Sequence, residues 1–159
     1  MRLTPYRRLP AAAAITSLVV VGCTTDDASP GAAGDDGGEA TVVAVSLQEW
    51  SVVPAQSSAP AGDVTFEVTN DGPEDIHEFV VLRTDLDPAD LPVDEDGVVG
   101  EEGEGIEVID EIEDIPVGES QDLTVSLEAG KYVLLCNIYS ADEQEAHYEL
   151  GMRTNFTVN

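Results

Sequence analysis

Short runs in which apolar and polar residues alternate constrain the fold of this chain more than any other feature. Val64, Phe66 and Val68 are separated by single polar residues, so they share one face of an extended strand. The same alternation returns in segments 123–127 and 152–158, and turn-forming Gly, Pro, Asn and Asp residues separate such runs. These features predict an all-β fold, specifically an antiparallel β-sandwich.

The first 22 residues have the pattern of an export signal. Three arginines precede a short apolar segment at 11–21, which is too short to span a membrane comfortably. The segment ends in Val-Val-Gly before Cys23, which resembles the lipobox of bacterial lipoproteins and implies that Cys23 becomes a lipidated N-terminus. An ordinary signal peptide is the alternative, and an adjacent arginine pair leaves both the general and the twin-arginine export routes open.

The rest of the chain is predicted to be a tether followed by one domain. Residues 23–40 are rich in Asp, Gly and Ala and lack large apolar side chains, which is typical of a flexible linker. Strand-like runs begin at Thr41, so the domain is predicted to span 41–159. Within it, segment 85–114 holds 14 acidic residues and no basic one. We predict a surface excursion at about 85–105 and a returning edge strand at 106–115.

The charge of the chain limits its partners. All 33 acidic residues follow Cys23, whereas three of the six basic residues precede it, so the chain from Cys23 onward carries 3 − 33 = −30. This charge excludes nucleic-acid binding, because phosphates would be repelled. It also disfavours lying flat on an anionic membrane and predicts attraction to cationic partners. A solvated acidic surface suited to high salt is the alternative.

One segment near the C-terminus carries three potential metal ligands in succession. Cys136, His147 and Met152 lie between two predicted strands, and His77 begins another strand far away in the sequence. The chain has two His and two Cys residues, so lipidation of Cys23 would leave Cys136 without a disulfide partner. Taken singly, these residues have ordinary explanations as surface histidines, a buried cysteine and a core methionine. Together, two imidazoles, a thiolate and a thioether are the ligand set of a blue (type 1) copper site.

Several segments resemble those of cupredoxins, and the resemblance covers about residues 41–159. They are segment 53–70 with its Pro-Ala-Gly turn, His-Glu-Phe-Val-Val at 77–81, the approach to the cysteine at 129–137, and the His-x4-Met pattern at 147–152. The resemblance implies a Greek-key β-sandwich with one copper ion. It also implies that His77, Cys136 and His147 are copper ligands and that Met152 is a weak axial ligand.

The segment between the cysteine and the second histidine departs from the family pattern. Ten residues, 137–146, separate Cys136 from His147, and the loops of plastocyanin-like and azurin-like members are shorter. This insert contains Asp142, Glu143 and Glu145, where the family usually has an apolar docking surface around the second histidine. This departure bears on how a partner docks and on the colour and reduction potential of the site. It bears less on which residues are the ligands.

These features together predict a membrane-tethered electron carrier that shuttles one electron through Cu(I) and Cu(II). It would be exported, lipid-anchored through Cys23 to the outer face of a bacterial membrane, and docked by a redox partner with a basic face. An enzyme is not expected, because a catalytic copper needs further histidines and both histidines are already used. The alternatives are a copper-handling lipoprotein without electron transfer and a metal-free cupredoxin-like interaction module.

Overall fold

The computed structural model describes residues 40–159 except for 101 and 104. The predicted signal peptide, Cys23 and the tether up to residue 39 lie outside the described residues. All described residues belong to one compact unit. Among them, no helix is long and apolar enough to cross a membrane.

Twelve strands and one helical turn occur in the described part of the chain. In chain order the strands are β1 (Thr41–Gln48), β2 (Ser51–Pro54), β3 (Ser58–Ala59), β4 (Gly62–Asn70), β5 (His77–Arg83), β6 (Glu102–Gly103), β7 (Ile106–Ile115), β8 (Ser120–Leu127), β9 (Gly130–Leu135), β10 (Tyr139–Ser140), β11 (Glu145–Ala146) and β12 (Arg153–Val158). The helical turn α1 (His147–Leu150) lies between β11 and β12.

Two sheets pack face to face around the main core. The first contains β2-β1-β4-β8 in that order, and the second contains β3-β12-β9-β5-β7-β6. The alternation predicted from the sequence is confirmed, because Val64, Phe66 and Val68 are all fully buried on one face of β4. Phe79 of β5 and Phe156 of β12 pack on Phe66 with ring centroids 5.3 and 5.5 Å away, so aromatic side chains join the two sheets.

The predicted Greek-key β-sandwich is confirmed, with two parallel strand pairs among otherwise antiparallel ones. Strand β1 pairs with β4 in parallel, and β3 pairs with β12 in parallel. The path of the chain from β2 to β4 explains both parallel pairs. After β2 the chain crosses to the second sheet, where β3 lies beside β12, and it then returns to the first sheet as β4, running in the direction of β1.

The acidic segment before β7 covers part of the outer face of the second sheet. Leu91 and Val99 are 5% and 2% exposed, and they belong to a second apolar cluster. The sheet contributes Val80, Leu82, Val133 and Leu135 to this cluster, and α1 contributes Tyr148. Residues 85–100 therefore form a segment, called the packed flap here, with an acidic outer surface and an apolar inner surface. The strand predicted at 106–115 is confirmed as β7, which has only the short β6 beyond it.

Candidate metal site

The topology brings three of the four predicted ligands to one end of the sandwich. His77 is the first residue of β5, and Cys136 directly follows β9. These two strands are antiparallel neighbours, with Val80 opposite Leu135, so the start of one lies beside the end of the other. His147 is the first residue of α1, eleven positions after Cys136.

The side chains of His77, Cys136 and His147 face one another in the interior. Their exposed fractions are 0%, 0% and 1%, and the potential ligand atoms all lie within 4.8 Å of one another. Nδ1 of His77 is 3.3 Å from Nδ1 of His147, and the Cys136 Sγ atom is 4.0 and 3.5 Å from these two nitrogens. Bonds of about 2.0 Å to nitrogen and 2.3 Å to sulfur would separate trigonal donors by about 3.5–3.7 Å. The three donors therefore fit a single metal ion.

Met152 lies directly beside this group. It is fully buried and belongs to the same core cluster as Cys136. The Cys136 N–H donates to the Met152 carbonyl at 3.0 Å, and the Met152 N–H donates to the His147 carbonyl at 3.0 Å. Gly151 ends α1 with φ at 126°, where a Cβ would lie 3.1 Å from the Trp50 carbonyl oxygen. Glycine thus allows the chain to turn back so that Met152 reaches Cys136.

The cysteine is held as a neutral thiol when no metal neutralises it. Burial raises the pKa of Cys136 to about 12, although hydrogen bonds from the backbone N–H groups of Glu78 and Ile138 act in the opposite direction. The Glu78 N–H lies 3.2 Å from the Cys136 Sγ atom. A cation among the three donors would replace the thiol proton, and this N–H would then hydrogen-bond to the thiolate.

The two histidines are neutral for a similar reason. Burial lowers the pKa of His77, and the neighbouring His147 lowers it further. Burial also lowers the pKa of His147, although nearby carboxylates, Asp75 first among them, oppose the shift. Neutral imidazoles keep a free nitrogen lone pair, which is the form that binds metals.

Two residues in the turn between β1 and β2, Glu49 and Trp50, complete the site, and the sequence reasoning missed both. The Trp50 ring meets the His147 ring edge-on with centroids 4.9 Å apart, and it lies 6.4 Å from the His77 ring. The Glu49 Oε1 atom lies 3.6 Å from Nε2 of His77, on the side of the ring away from Cys136. The sequence offered no signal for either residue, since their proximity depends on how β1 and the 71–76 loop pack.

The carboxylate of Glu49 is anchored from the other side by backbone groups. Its Oε1 atom accepts hydrogen bonds from the N–H groups of Asp75 at 2.8 Å and Glu74 at 3.1 Å. Burial alone would raise the pKa of Glu49, but these hydrogen bonds outweigh it and leave the pKa below its ordinary value. The side chain is therefore a partly buried carboxylate, favoured in its ionised form, behind a candidate ligand.

The acidic insert between Cys136 and His147 forms a small hairpin. Tyr139 pairs with Ala146 and Ser140 with Glu145, so β10 and β11 return the chain to the site. Residues 141–144 form the exposed tip of this hairpin. The departure from the family loop length is therefore an ordered projection, and its acidic tip points into solvent.

The packed flap holds the ligand loop in place through two side chains. The Asn137 side chain accepts a hydrogen bond from the Val99 N–H at 2.8 Å and donates one to the Val99 carbonyl at 3.0 Å. The Tyr148 hydroxyl accepts from the Leu91 N–H at 3.2 Å and donates to the Pro88 carbonyl at 2.7 Å. Asn137 and Tyr148 directly follow Cys136 and His147, so the flap fixes the backbone beside two of the donors.

A shallow pocket of about 320 Å³ lies where His147 approaches the surface. Ile76 on its wall is 50% exposed. The remaining lining residues are Glu74, Asp75, Asp114, Ile138 and Ser140. This surface is therefore a small apolar patch with carboxylates beside it.

The comparisons with known proteins identify the fold. No protein-family model matches the sequence, and no curated protein matches it. Among solved structures, auracyanin from Roseiflexus castenholzii shares 21% identity with a TM-score of 0.53, over 77% of this chain and 99% of that chain. Auracyanin A of Chloroflexus aurantiacus, described as a blue copper protein, shares 18% identity with a TM-score of 0.50, over 76% of this chain and 100% of that one.

An azurin from Methylomonas sp. strain J matches at 16% identity and a TM-score of 0.50, over 76% of this chain and 99% of that chain. These structural neighbours are cupredoxins. The described domain therefore has the cupredoxin fold, and its His77–Cys136–His147 group is positioned for a metal ion.

Proposed function

We propose that this protein is a type 1 copper protein that carries single electrons. The observation that carries the proposal is the buried cluster of Nδ1 of His77, Sγ of Cys136 and Nδ1 of His147 at one end of a cupredoxin fold. A thiolate with two imidazoles in a trigonal set, next to a weak thioether, is the donor chemistry of blue copper sites. Met152, buried beside Cys136, is proposed as the axial ligand.

The protein residues supply the geometry for this role. When bound, copper supplies the one-electron couple between Cu(I) and Cu(II). His77 and Cys136 lie at the ends of paired strands, while the flap fixes the backbone after Cys136 and His147 through Asn137 and Tyr148. Ligands held this firmly move little between oxidation states, which favours fast electron exchange.

The distribution of charge supports a cationic or basic face on the redox partner. Glu74, Asp75 and Asp114 line the pocket next to His147. Two of the three basic residues after Cys23, Arg83 and Lys131, lie at the other end of β5 and β9 and pair with Glu128 and Asp85. With about 3.3 Å per residue along a strand, Arg83 lies about 20 Å from His77. The third basic residue, Arg153, stacks on the Tyr148 ring close to the site. The attraction of a positive partner would therefore come from the charge of −30 on the chain from Cys23 onward together with the carboxylates at the pocket.

The location of the protein is proposed from the N-terminal sequence alone. The lipobox-like segment before Cys23 supports export and lipid anchoring at the outer face of a bacterial membrane. A tether at 23–40 would let the domain reach partners near that membrane. Mass spectrometry of the mature protein purified from membranes tests this proposal, because lipidation adds a diacylglyceryl group to Cys23.

We propose no catalytic role. Both histidines of the chain belong to the one donor group, so a second, histidine-rich copper centre has no ligands available in this sequence. Electron transfer requires only a single copper whose ligands stay in place.

Copper titration tests the proposed function. Adding Cu(II) to metal-free protein is expected to produce an intense visible thiolate-to-copper band at one equivalent, with the narrow copper hyperfine splitting of a type 1 site in the EPR spectrum. Cys136→Ser is expected to abolish the band, while Ser140→Ala, on the same loop, is expected to keep it. A folded protein that gives no such band would contradict the type 1 assignment and favour a metal-free interaction module.

Copper handling without electron transfer is a second candidate, because His147 is only 1% exposed. When the histidine through which electrons would leave is buried, electron exchange is slow, and such a site suits copper storage. Measuring the self-exchange rate together with the copper dissociation constant separates the two functions. Fast exchange supports the carrier, whereas slow exchange with very tight binding supports handling.

A further inference from the structure

Two buried polar atoms next to the donor group lack hydrogen-bond partners. Within the described residues, these atoms are Oε2 of Glu49 and Nε2 of His77. Burying an unpaired polar atom is costly, so native structures seldom leave one without a role. The two side chains are neighbours, because the Glu49 Oε1 atom lies 3.6 Å from the same His77 nitrogen.

The orientation of the His77 ring shows which of its two nitrogens faces the other donors and which faces Glu49. Nδ1 of His77 points at Nδ1 of His147 and Sγ of Cys136, so Nδ1 is the atom that faces the metal position. A neutral imidazole that binds through Nδ1 carries its proton on Nε2. That proton then points towards the side of the ring where Glu49 lies. The separation of 3.6 Å is longer than a hydrogen bond, and a small ring or carboxylate rotation would close it.

The carboxylate itself is built into the structure. Its side chain is 10% exposed, and the backbone N–H groups of Asp75 and Glu74 both donate to its Oε1 atom. Because these donors belong to the loop immediately before His77, they tie Glu49 to the same backbone that positions the histidine. The carboxylate is thus fixed relative to the ring rather than free to turn into solvent.

We propose that Glu49 is a positioning residue that selects the Nε2–H tautomer of His77 and, through its fixed negative charge, lowers the reduction potential of the copper site. This inference rests on the proposed function. A carboxylate that accepts from the second nitrogen of a metal-bound histidine fixes the ring and makes it a more basic ligand. Cu(II) carries one more positive charge than Cu(I), so a nearby anion stabilises the oxidised state more than the reduced one.

The first experiment needs no copper. Nitrogen-15 NMR of the imidazole rings in metal-free protein reports which ring nitrogen carries the proton. We expect His77 as the Nε2–H tautomer and His147 as the Nδ1–H tautomer, with the His147 proton shared across the 3.3 Å contact between the rings. His77 protonated at Nδ1 would overturn the proposal, whether or not the protein binds copper.

The second experiment measures the reduction potential of copper-loaded variants. Glu49→Gln keeps an oxygen that can accept from Asp75 and Glu74 but removes the charge. We expect it to weaken Cu(II) binding relative to Cu(I) by at least tenfold, which corresponds to a rise of about 59 mV for a one-electron couple. Glu49→Asp, which retains the charge, is expected to stay closer to the wild-type potential.

Glu119→Gln is the matched control, since it removes an equal charge from an exposed side chain that lies outside the site. Solvent and salt screen that charge, so its effect is expected to stay below threefold. Equal shifts for Glu49→Gln and Glu119→Gln would contradict a specific role for Glu49. If the wild type shows no type 1 band, the proposed function fails, and the tautomer measurement still decides the Glu49–His77 pairing. If Glu49→Gln does not fold, the wild-type tautomer decides it likewise.

Discussion

The side-chain amide of Asn137 forms two hydrogen bonds with the backbone of Val99, accepting at 2.8 Å and donating at 3.0 Å. This pairing joins the residue after Cys136 to the acidic segment that covers the outer face of the second sheet. Val99 is 2% exposed, so both of its backbone groups depend on Asn137 rather than on water. The acidic segment therefore contributes to the site through its backbone, not only through its charge.

Replacing Asn137 is expected to loosen the ligand loop. Asn137→Ala leaves the N–H and carbonyl groups of Val99 without partners, so we expect the free energy of unfolding to fall by about 1–3 kcal/mol and copper to dissociate faster. Denaturant unfolding and copper transfer to a chelator measure the two effects. Asn155→Ala, an exposed position on β12, is the control and is expected to change stability by less than about 0.5 kcal/mol. Equal losses for both variants would show that the pairing with Val99 contributes little.

The thiol of Cys136 is expected to be unreactive in the folded, metal-free protein. Burial raises its pKa to about 12, and thiolate is the reactive form. In a Cys23→Ser background, where Cys136 is the single thiol, a chromogenic disulfide reagent at pH 8 should react at least tenfold more slowly with native than with unfolded protein. Copper binding should in addition release a proton, which a pH indicator in weak buffer detects. Rapid labelling of the native state would contradict the buried placement.

Glu78 is expected to lower stability near neutral pH. Burial, together with the adjacent carboxylates of Glu111 and Glu113, raises its pKa to about 7 from an ordinary value of 4.5. Between these values the folded state holds a proton that the unfolded chain releases, so the free energy of unfolding falls as the pH rises. Glu78→Gln mimics the protonated form and should be more stable than the wild type above pH 7 and equal to it below pH 4.5.

Unfolding of metal-free protein across this pH range provides the measurement for Glu78. Glu119→Gln, at an exposed turn, controls for the loss of one negative charge from a highly acidic chain. A stability gain for Glu78→Gln that does not vary with pH would point to general charge repulsion instead of a raised pKa.

The two histidines are expected to lower the stability of the metal-free protein as the pH falls, whereas Glu78 lowers it as the pH rises. Burial lowers the pKa of His77 and of His147 from 6.5, so the unfolded chain takes up protons that the folded state does not. The free energy of unfolding should therefore fall as the pH drops below about 6.5. Measured in the Glu78→Gln background, this loss should appear in metal-free protein and be smaller in the copper-loaded form, whose metal occupies both rings. An NMR titration that gives ordinary histidine pKa values would contradict the expectation.

Salt is expected to slow electron exchange with cationic reagents. The carboxylates of Glu74, Asp75 and Asp114 lie beside the pocket next to His147, where a partner would approach. Raising the ionic strength shortens the screening length from about 30 Å at 0.01 M to about 10 Å at 0.1 M. Oxidation of the reduced protein by a cationic cobalt complex should therefore slow several-fold over this range, while an anionic oxidant should speed up. A salt response of the same sign for both reagents would exclude steering by these carboxylates.

The sequence by itself determined the sandwich and the candidate donors. The alternation at Val64, Phe66 and Val68 specifies which face of β4 is buried, because successive side chains on a strand point to opposite sides. The identities and order of His77, Cys136, His147 and Met152 follow the cupredoxin pattern, so the resemblance was enough to nominate them. These features are local in sequence, or carried by a motif, and can be read without knowing how distant segments meet.

Only the tertiary structure decided the surroundings of the donors. Glu49 and Trp50 form the turn between β1 and β2, and nothing in their own sequence connects them with His77 or His147. The packing of this turn near the loop before β5 brings them there. Likewise, the sequence predicts a surface excursion for the acidic segment, whereas Leu91 and Val99 are buried in a cluster with side chains of the sheet, so the segment packs on it. In a segment with 14 acidic residues the few apolar side chains do not stand out. Their burial depends on the apolar outer face of β5 and β9, which exists only once the sheet has formed.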